Sequence, residues 1–151
     1  MFQGSIVALV TPMNADGSVD IKSFNNLLDF HVQNKSDGVV VVGTTGEAPT
    51  IDFDEHISLV NIAVKFSRGR IPVIAGTGAN STKEAIFLTK EAKNAGADGS
   101  LLVTPYYNKP NQRGKYINSQ DSFIFNKKQC LYGLNFGQKS IRETKSLILV
   151  D

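Results

Sequence analysis

Short β-branched runs alternate with longer amphipathic segments along the first two thirds of the chain, and no other feature restricts the fold as much. The runs are SIVALV (Ser5 to Val10), GVVVVG (Gly38 to Gly43), IPVIAG (Ile71 to Gly76) and GSLLVTPYY (Gly99 to Tyr107). They recur at roughly thirty-residue intervals, the length of one βα unit. Two share a heading, SDGVVVVGTT beside ADGSLLVTPYY. A run that is apolar at every position suits a strand buried on both faces of a parallel sheet.

The segments between them predict helices. Asp20 reads as an N-cap ahead of Phe24, Leu27, Leu28 and Val32. Asp52 with Glu55 has capping-box spacing, followed by Ile57, Val60, Ile62 and Val64 as an inner face. Ser81 with Glu84 repeats that spacing before Ala85, Leu88 and Ala92, and Gly96 is placed to end the helix. Strict βαβα alternation predicts a parallel α/β sheet. Ligands of such sheets sit at the carboxyl ends of the strands, where Thr11, Thr44 with Thr45, Gly76 to Gly78, and Thr104 to Tyr107 would gather. After Tyr116 the composition turns to Asn, Gln, Ser and Lys. SFIF and SLILV have strand character there, but the βα rhythm does not carry through, and an irregular segment is an equal reading.

Composition narrows the function classes. At 151 residues the chain is long enough for one domain with a core. A formal charge of +2, without a basic stripe interleaved with aromatics, is no nucleic-acid footprint. Cys130 is alone, so a disulfide framework and a Cys-based metal site are both excluded. His31 and His56 fall on separate predicted helices without acidic or Cys partners at ligand spacing, and read as packing or surface residues; no metal and no cofactor is expected. The N-terminal apolar run is too short to span a bilayer and has no basic flank, so the expected setting is the cytoplasm.

The loop GTTGEAPT, Gly43 to Thr50, follows directly on a valine strand. A phosphate loop needs a lysine after its last glycine; Glu47 stands there, and its carboxylate would repel phosphate. GTGANS, Gly76 to Ser81, matches only the first half of a dinucleotide fingerprint, because Ser81 replaces the third glycine. Backbone N–H groups and threonine hydroxyls can instead hold a small carboxylate, and hydroxyls in reach of one another can pass protons. Thr44 and Thr45 could equally satisfy loop backbone groups. Glu47 is either a base or a cap. Tyr106 and Tyr107 divide between an interface aromatic, a phenol in the site, and plain packing.

Four stretches together, GSIVALVTPM, VGTTGEAPT, RIPVIAGTGANST and VTPYYNKP, resemble the dihydrodipicolinate (4-hydroxy-tetrahydrodipicolinate) synthase family of Schiff-base-forming, pyruvate-dependent lyases and aldolases. The likeness runs without a gap from Met1 to about Tyr116. The threonine pair with TPYY downstream favours the synthases over the related N-acetylneuraminate lyases. The resemblance implies a TIM barrel, (β/α)8, that condenses pyruvate with L-aspartate 4-semialdehyde through a lysine Schiff base in lysine and diaminopimelate synthesis. It implies a homo-oligomer too, a tetramer built as a dimer of dimers. Thr45 would bind the pyruvate carboxylate, Thr44 would be the relay hydroxyl, and Tyr107 the relay tyrosine that reaches into a neighbouring active site. The family's feedback site for lysine would map onto His56, Asn80, Glu84 and Tyr106. Phe53 stands where lysine-sensitive members often carry histidine, and Pro49 replaces a small residue.

Beyond Tyr116 the chain departs from the family pattern. A YNxP strand and a strand with the Schiff-base lysine are due. CLYGLN puts Tyr132 near the expected place without the following motif, and Lys139 and Lys145 lie in no matching strand. A barrel of this kind typically needs about 250 residues. The expectation is therefore about the first four βα units over residues 1–116, with a divergent tail over 117–151. The tail reads as the product of truncation or a frame shift, and the chain as inactive alone. A half-barrel is the alternative, although its open sheet would expose two valine-rich edges. Two other readings stay open: a non-catalytic fragment that binds a small carboxylate or a full-length paralogue, and a related pyruvate-dependent aldolase.

Overall fold

The structure, a computed structural model, describes residues 2–111, 113, 114 and 130–133. Its elements follow in the order β1 (Ile6–Ala8), α1 (Ile21–Gln33), β2 (Gly38–Val41), α2 (Phe53–Ser67), β3 (Val73–Gly76), α3 (Thr82–Ala95), β4 (Gly99–Val103) and β5 (Cys130–Gly133). All neighbouring strands pair in parallel, in the order β1-β2-β3-β4-β5. The order never reverses. Because βαβ crossovers are right-handed, strands added always on the same side put every helix on the same face of the sheet. A doubly wound sheet would need a reversal of strand order. The succession is that of a (β/α)8 barrel traced over its first units.

The core lies between sheet and helices. Val39 and Val41 of β2 stand in register with Val73 and Ala75 of β3. All four are buried with Phe24 and Leu28 of α1 and Leu59, Val60 and Ala63 of α2. Val40 and Ile74, on the opposite face, are buried as well, as the uninterrupted apolar runs predict. Strand β1 differs from the expectation of a buried strand: Ile6 and Val7 are half-buried and Ala8 is exposed, because among the described strands β1 pairs only with β2.

Asp20 caps α1, its carboxylate accepting from the Ser23 N–H at 3.0 Å and the Ser23 hydroxyl at 2.6 Å. Those bonds, the hydroxyl's first, hold its carboxyl below the usual range. Ser81 caps α3 by accepting from the Glu84 N–H, and Gly96 ends that helix at φ +91°. The capping box expected at Asp52 and Glu55 is not formed. Asp52 stands at the N-cap of α2 with the extended backbone usual there, yet its side chain makes no cap hydrogen bond; Asp54 and Glu55 in the first turn complement the helix dipole instead. The inner face of α2 is also rotated from the expected one. His56, Leu59, Val60, Ala63 and Ser67 are buried, whereas Ile57, Ile62 and Val64 are half-buried.

Strand β5 falls in the segment where the rhythm had not been expected to continue. Its Cys130–Gly133 backbone pairs in parallel with Ser100–Val103 of β4, so the sheet extends one strand past residue 116. SFIF, SLILV, Lys139 and Lys145 lie outside the described residues. Among the described residues no helix is long and apolar enough to cross a membrane.

Replacing Phe24, 1 % exposed at the centre of this core, by alanine is expected to cost about 3–5 kcal/mol in denaturant unfolding. Phe30→Ala on the same helix, where the ring is 57 % exposed, is expected to stay within about 0.5 kcal/mol of the parent.

Candidate active site

The carboxyl ends of β1 to β4 are tied into one rim by contacts that begin with the backbone. The buried Thr11 hydroxyl, after β1, donates to the Gly46 carbonyl at 2.7 Å. Past β2 the chain kinks at Val42, a buried β-branched residue at φ +51°. Such a conformation costs of order 1–3 kcal/mol and persists only where the surroundings over-determine it. The loop then closes on itself: the Gly46 and Ala48 N–H groups both donate to the Gly43 carbonyl, and the Glu47 N–H donates to the Thr44 carbonyl. Thr44 and Thr45 stay exposed, and among the described residues neither hydroxyl has a hydrogen-bond partner. Glu47 is exposed at φ +58° and makes no side-chain cap bond.

Strand β3 ends at Gly76, where the neighbouring loop leaves no room for a side chain. A Cβ there would lie 2.2 Å from the Val42 carbonyl oxygen and 2.6 Å from the Gly43 Cα. Gly78 meets the end of β4 in the same way, at 2.2 Å from the Val103 nitrogen. The ends of β2, β3 and β4 thus pack backbone against backbone.

Two side chains lock this arrangement. His56 is 4 % exposed, and its Nε2 lies 2.8 Å from the Gly76 carbonyl oxygen. A carbonyl only accepts, so Nε2 carries the proton. Burial lowers the pKa of His56, and the Gly76 bond opposes that in part. Asn80 holds the tyrosine turn. Its Oδ1 accepts from the Tyr106 N–H at 2.9 Å and the Tyr107 N–H at 3.1 Å, while the Asn108 amide donates to the Asn80 carbonyl. Tyr107 projects from the rim, 84 % exposed, and Tyr106 is 37 % exposed.

The residues singled out in the sequence are therefore joined in part. Asn80 meets Tyr106 and Tyr107, and His56 meets the rim through Gly76. Thr44 and Tyr107 share the rim, but among the described residues no hydrogen bond joins them. Glu84 is half-buried in the first turn of α3. Phe53, half exposed, stands edge-on to Phe87 with ring centroids 6.1 Å apart. His31 is buried on α1 with Nδ1 2.9 Å from the Ser36 hydroxyl oxygen, a packing role. Sequence reasoning missed Val42 and the clamp role of Asn80. The glycine-rich strand ends VVGTT and AGTG were the available signal for the close approach; nothing marked Asn80 as a clamp.

A depression of about 350 Å³ lies at the far end of α2, lined by Lys65, Phe66, Arg68 and Arg70. The Arg70 guanidinium donates to the Phe66 and Ser67 carbonyls and lies over the Phe66 ring, so it serves the helix end.

Comparison with known proteins bears on this rim. The model of the dihydrodipicolinate synthetase family matches residues 1–122. A 4-hydroxy-tetrahydrodipicolinate synthase of Nitrosomonas europaea is 65 % identical over 116 residues, which are 77 % of this chain and 40 % of that protein. The chain thus spans about two fifths of the length of the curated relatives it matches. Among solved structures, the dihydrodipicolinate synthase of Aquifex aeolicus superposes with a TM-score of 0.84 at 51 % identity, over 87 % of this chain and 44 % of that one. A chloride-inhibited synthase of Acinetobacter baumannii, solved in complex with pyruvate, superposes with a TM-score of 0.84 at 49 % identity, over 87 % and 45 % of the two chains.

The buried imidazole generates a pH prediction. A histidine whose pKa is lowered by folding binds its proton more readily in the unfolded chain, so stability falls as pH drops through the ordinary histidine range. The melting temperature between pH 8 and pH 5 is expected to fall less in His56→Gln than in the parent.

Proposed function

The chain belongs to the dihydrodipicolinate synthetase family, and from that premise we propose that its rim is the carboxylate-holding part of a site condensing pyruvate with L-aspartate 4-semialdehyde. One observation carries the reading. The loop after β2 uses its Gly46, Glu47 and Ala48 amides internally and leaves the Thr44 and Thr45 hydroxyls exposed on a closed, backbone-packed frame. Hydroxyl donors on a rigid turn suit a small carboxylate, to which each hydrogen bond is charge-assisted. The bound pyruvate of the Acinetobacter baumannii synthase supports the choice of acid.

In this reading Thr45 donates to the pyruvate carboxylate and Thr44 serves as a relay hydroxyl. Tyr107, held by Asn80 and 84 % exposed, reaches toward a neighbouring copy, as a homo-oligomer with shared sites requires. The ketone would be captured by a lysine amine that is neutral because its surroundings disfavour the ammonium. Lys139 and Lys145 stand in no strand motif of the family's kind, so in this reading the threonine loop holds the acid without an imine being formed. The products would feed lysine and diaminopimelate synthesis. Feedback by lysine is not part of the proposal. Of the residues that would hold it, His56 and Asn80 are engaged within the rim through Gly76 and the tyrosine turn, and Phe53 presents a ring.

Two measurements test the reading. Pyruvate is expected to shift the Thr44 and Thr45 amide resonances in NMR, and Thr45→Val to weaken binding about 10-fold or more, the loss of one hydrogen bond to a charged group. No shift at either amide would overturn the site. Pyruvate with borohydride is expected to leave the mass of the chain unchanged; a stoichiometric pyruvyl adduct on one lysine would overturn the non-catalytic part.

A further inference from the structure

Non-glycine residues with positive φ occur at Lys35, Val42, Glu47, Arg68 and Lys109. Four of them are polar and exposed, at turns or a helix end, where the backbone is free to choose. Val42 is the exception. It is β-branched and 2 % exposed, the kind of residue for which a left-handed conformation is a genuine outlier. Gly43 follows immediately and could have taken the kink without a steric penalty. The bend sits on the valine nonetheless.

What holds it there is visible on both sides. The isopropyl group belongs to the core cluster with Leu9, Val41 and Ile51, so the side chain is anchored. The carbonyl oxygen occupies the place where a side chain at position 76 would begin, 2.2 Å from an ideal Cβ. Gly76 is itself immobilised, by parallel pairing with Leu101 and by the His56 ring bonded to its carbonyl. The conformation is thus set by a chain of contacts running from His56 through Gly76 to the Val42–Gly43 peptide, and the next residues along are Thr44 and Thr45.

We propose that Val42 is the positioning residue of the carboxylate loop: its left-handed backbone, held between the core and the bare Cα of Gly76, sets the direction in which Thr44 and Thr45 leave the sheet. The inference rests on the carboxylate-binding reading and adds to it the element that preorganises the donors. Val42 is buried and would act on the ligand only through Thr44 and Thr45. A merely structural valine would contribute only its buried side chain, and the two roles separate in a pair of variants.

Val42→Ala and Val42→Gly both remove the two γ-methyl groups and differ in the β-carbon, and through it in backbone freedom. At an ordinary strand position glycine is the less stable of the two; at positive φ the order reverses. The full chain carrying Val42→Gly is therefore expected to melt above Val42→Ala. Its loop is nevertheless freer, so amide hydrogen exchange at Thr44 and Thr45 should be faster without ligand, and pyruvate binding about 5-fold weaker or more, from lost preorganisation. Higher stability joined to lower affinity is the signature of positioning. If Val42→Gly melts below Val42→Ala, or if exchange at Thr44 and Thr45 is equal in the two variants, the proposal is overturned. Equal pyruvate affinity in the two overturns it as well. Should the parent chain not bind pyruvate at all, the carboxylate reading falls, while the melting order and the ligand-free exchange still decide the role of Val42.

Discussion

Backbone-to-backbone contact at the ends of β2, β3 and β4 is the constraint on which the rim depends. Gly76 and Gly78 stand where a methyl group would overlap the carbonyl of Val42 and the nitrogen of Val103. Parallel strands are evenly spaced by their hydrogen bonds, but the loops that leave them must diverge, and ordinary side chains would hold those loops apart. With two glycines at the end of β3, its loop closes on the neighbouring strand ends on both sides. The Thr44 and Thr45 hydroxyls, the tyrosine turn and the His56 ring are placed around that closure.

The rigidity of the rim comes from below and from the side. From below, Val39, Val41, Val73 and Ala75 are buried under α1 and α2, and Val40 and Ile74 on the opposite face are buried as well, so the strands that carry the loops are packed on both sides. From the side, His56 and Asn80 replace water at backbone groups the loops would leave unpaired. Of the two, His56 is buried, and its bond to the Gly76 carbonyl fixes the orientation of the ring. The same economy explains why Thr11, at the end of the half-buried β1, is itself buried: its hydroxyl is the partner of the Gly46 carbonyl.

Much of this was legible in the sequence because the signals are local. Uninterrupted apolar runs marked β2 and β3, Asp20 and Ser81 marked helix starts, and Gly96 marked an end; each acts through neighbours within a turn. Legibility failed where a distant partner decides. Ile57, Ile62 and Val64 looked like the inner face of α2, yet His56, Ala63 and Ser67 are turned inward. A polar ring becomes a core residue once the Gly76 carbonyl accepts a hydrogen bond from its N–H, and small residues allow the helix to approach the sheet. Asp52 had the spacing of a capping box, and its side chain makes no cap bond. Strand β5 has neither a valine run nor a cap to announce it, and it was found only through its pairing with β4.

The candidate site divides along the same line. By itself the sequence determined the alternation of strands and helices, the parallel sheet, and a loop in which Glu47 stands where a phosphate loop carries a cation. These follow from residue type and spacing, which act over a few residues. Only the tertiary structure decided that the strand order runs without reversal, that Asn80 carries the tyrosine turn, and that the kink before the threonines falls on Val42 rather than Gly43. In each case the deciding contact joins residues far apart in the chain, and for Val42 it is the absence of an atom at Gly76 that makes room for the bend.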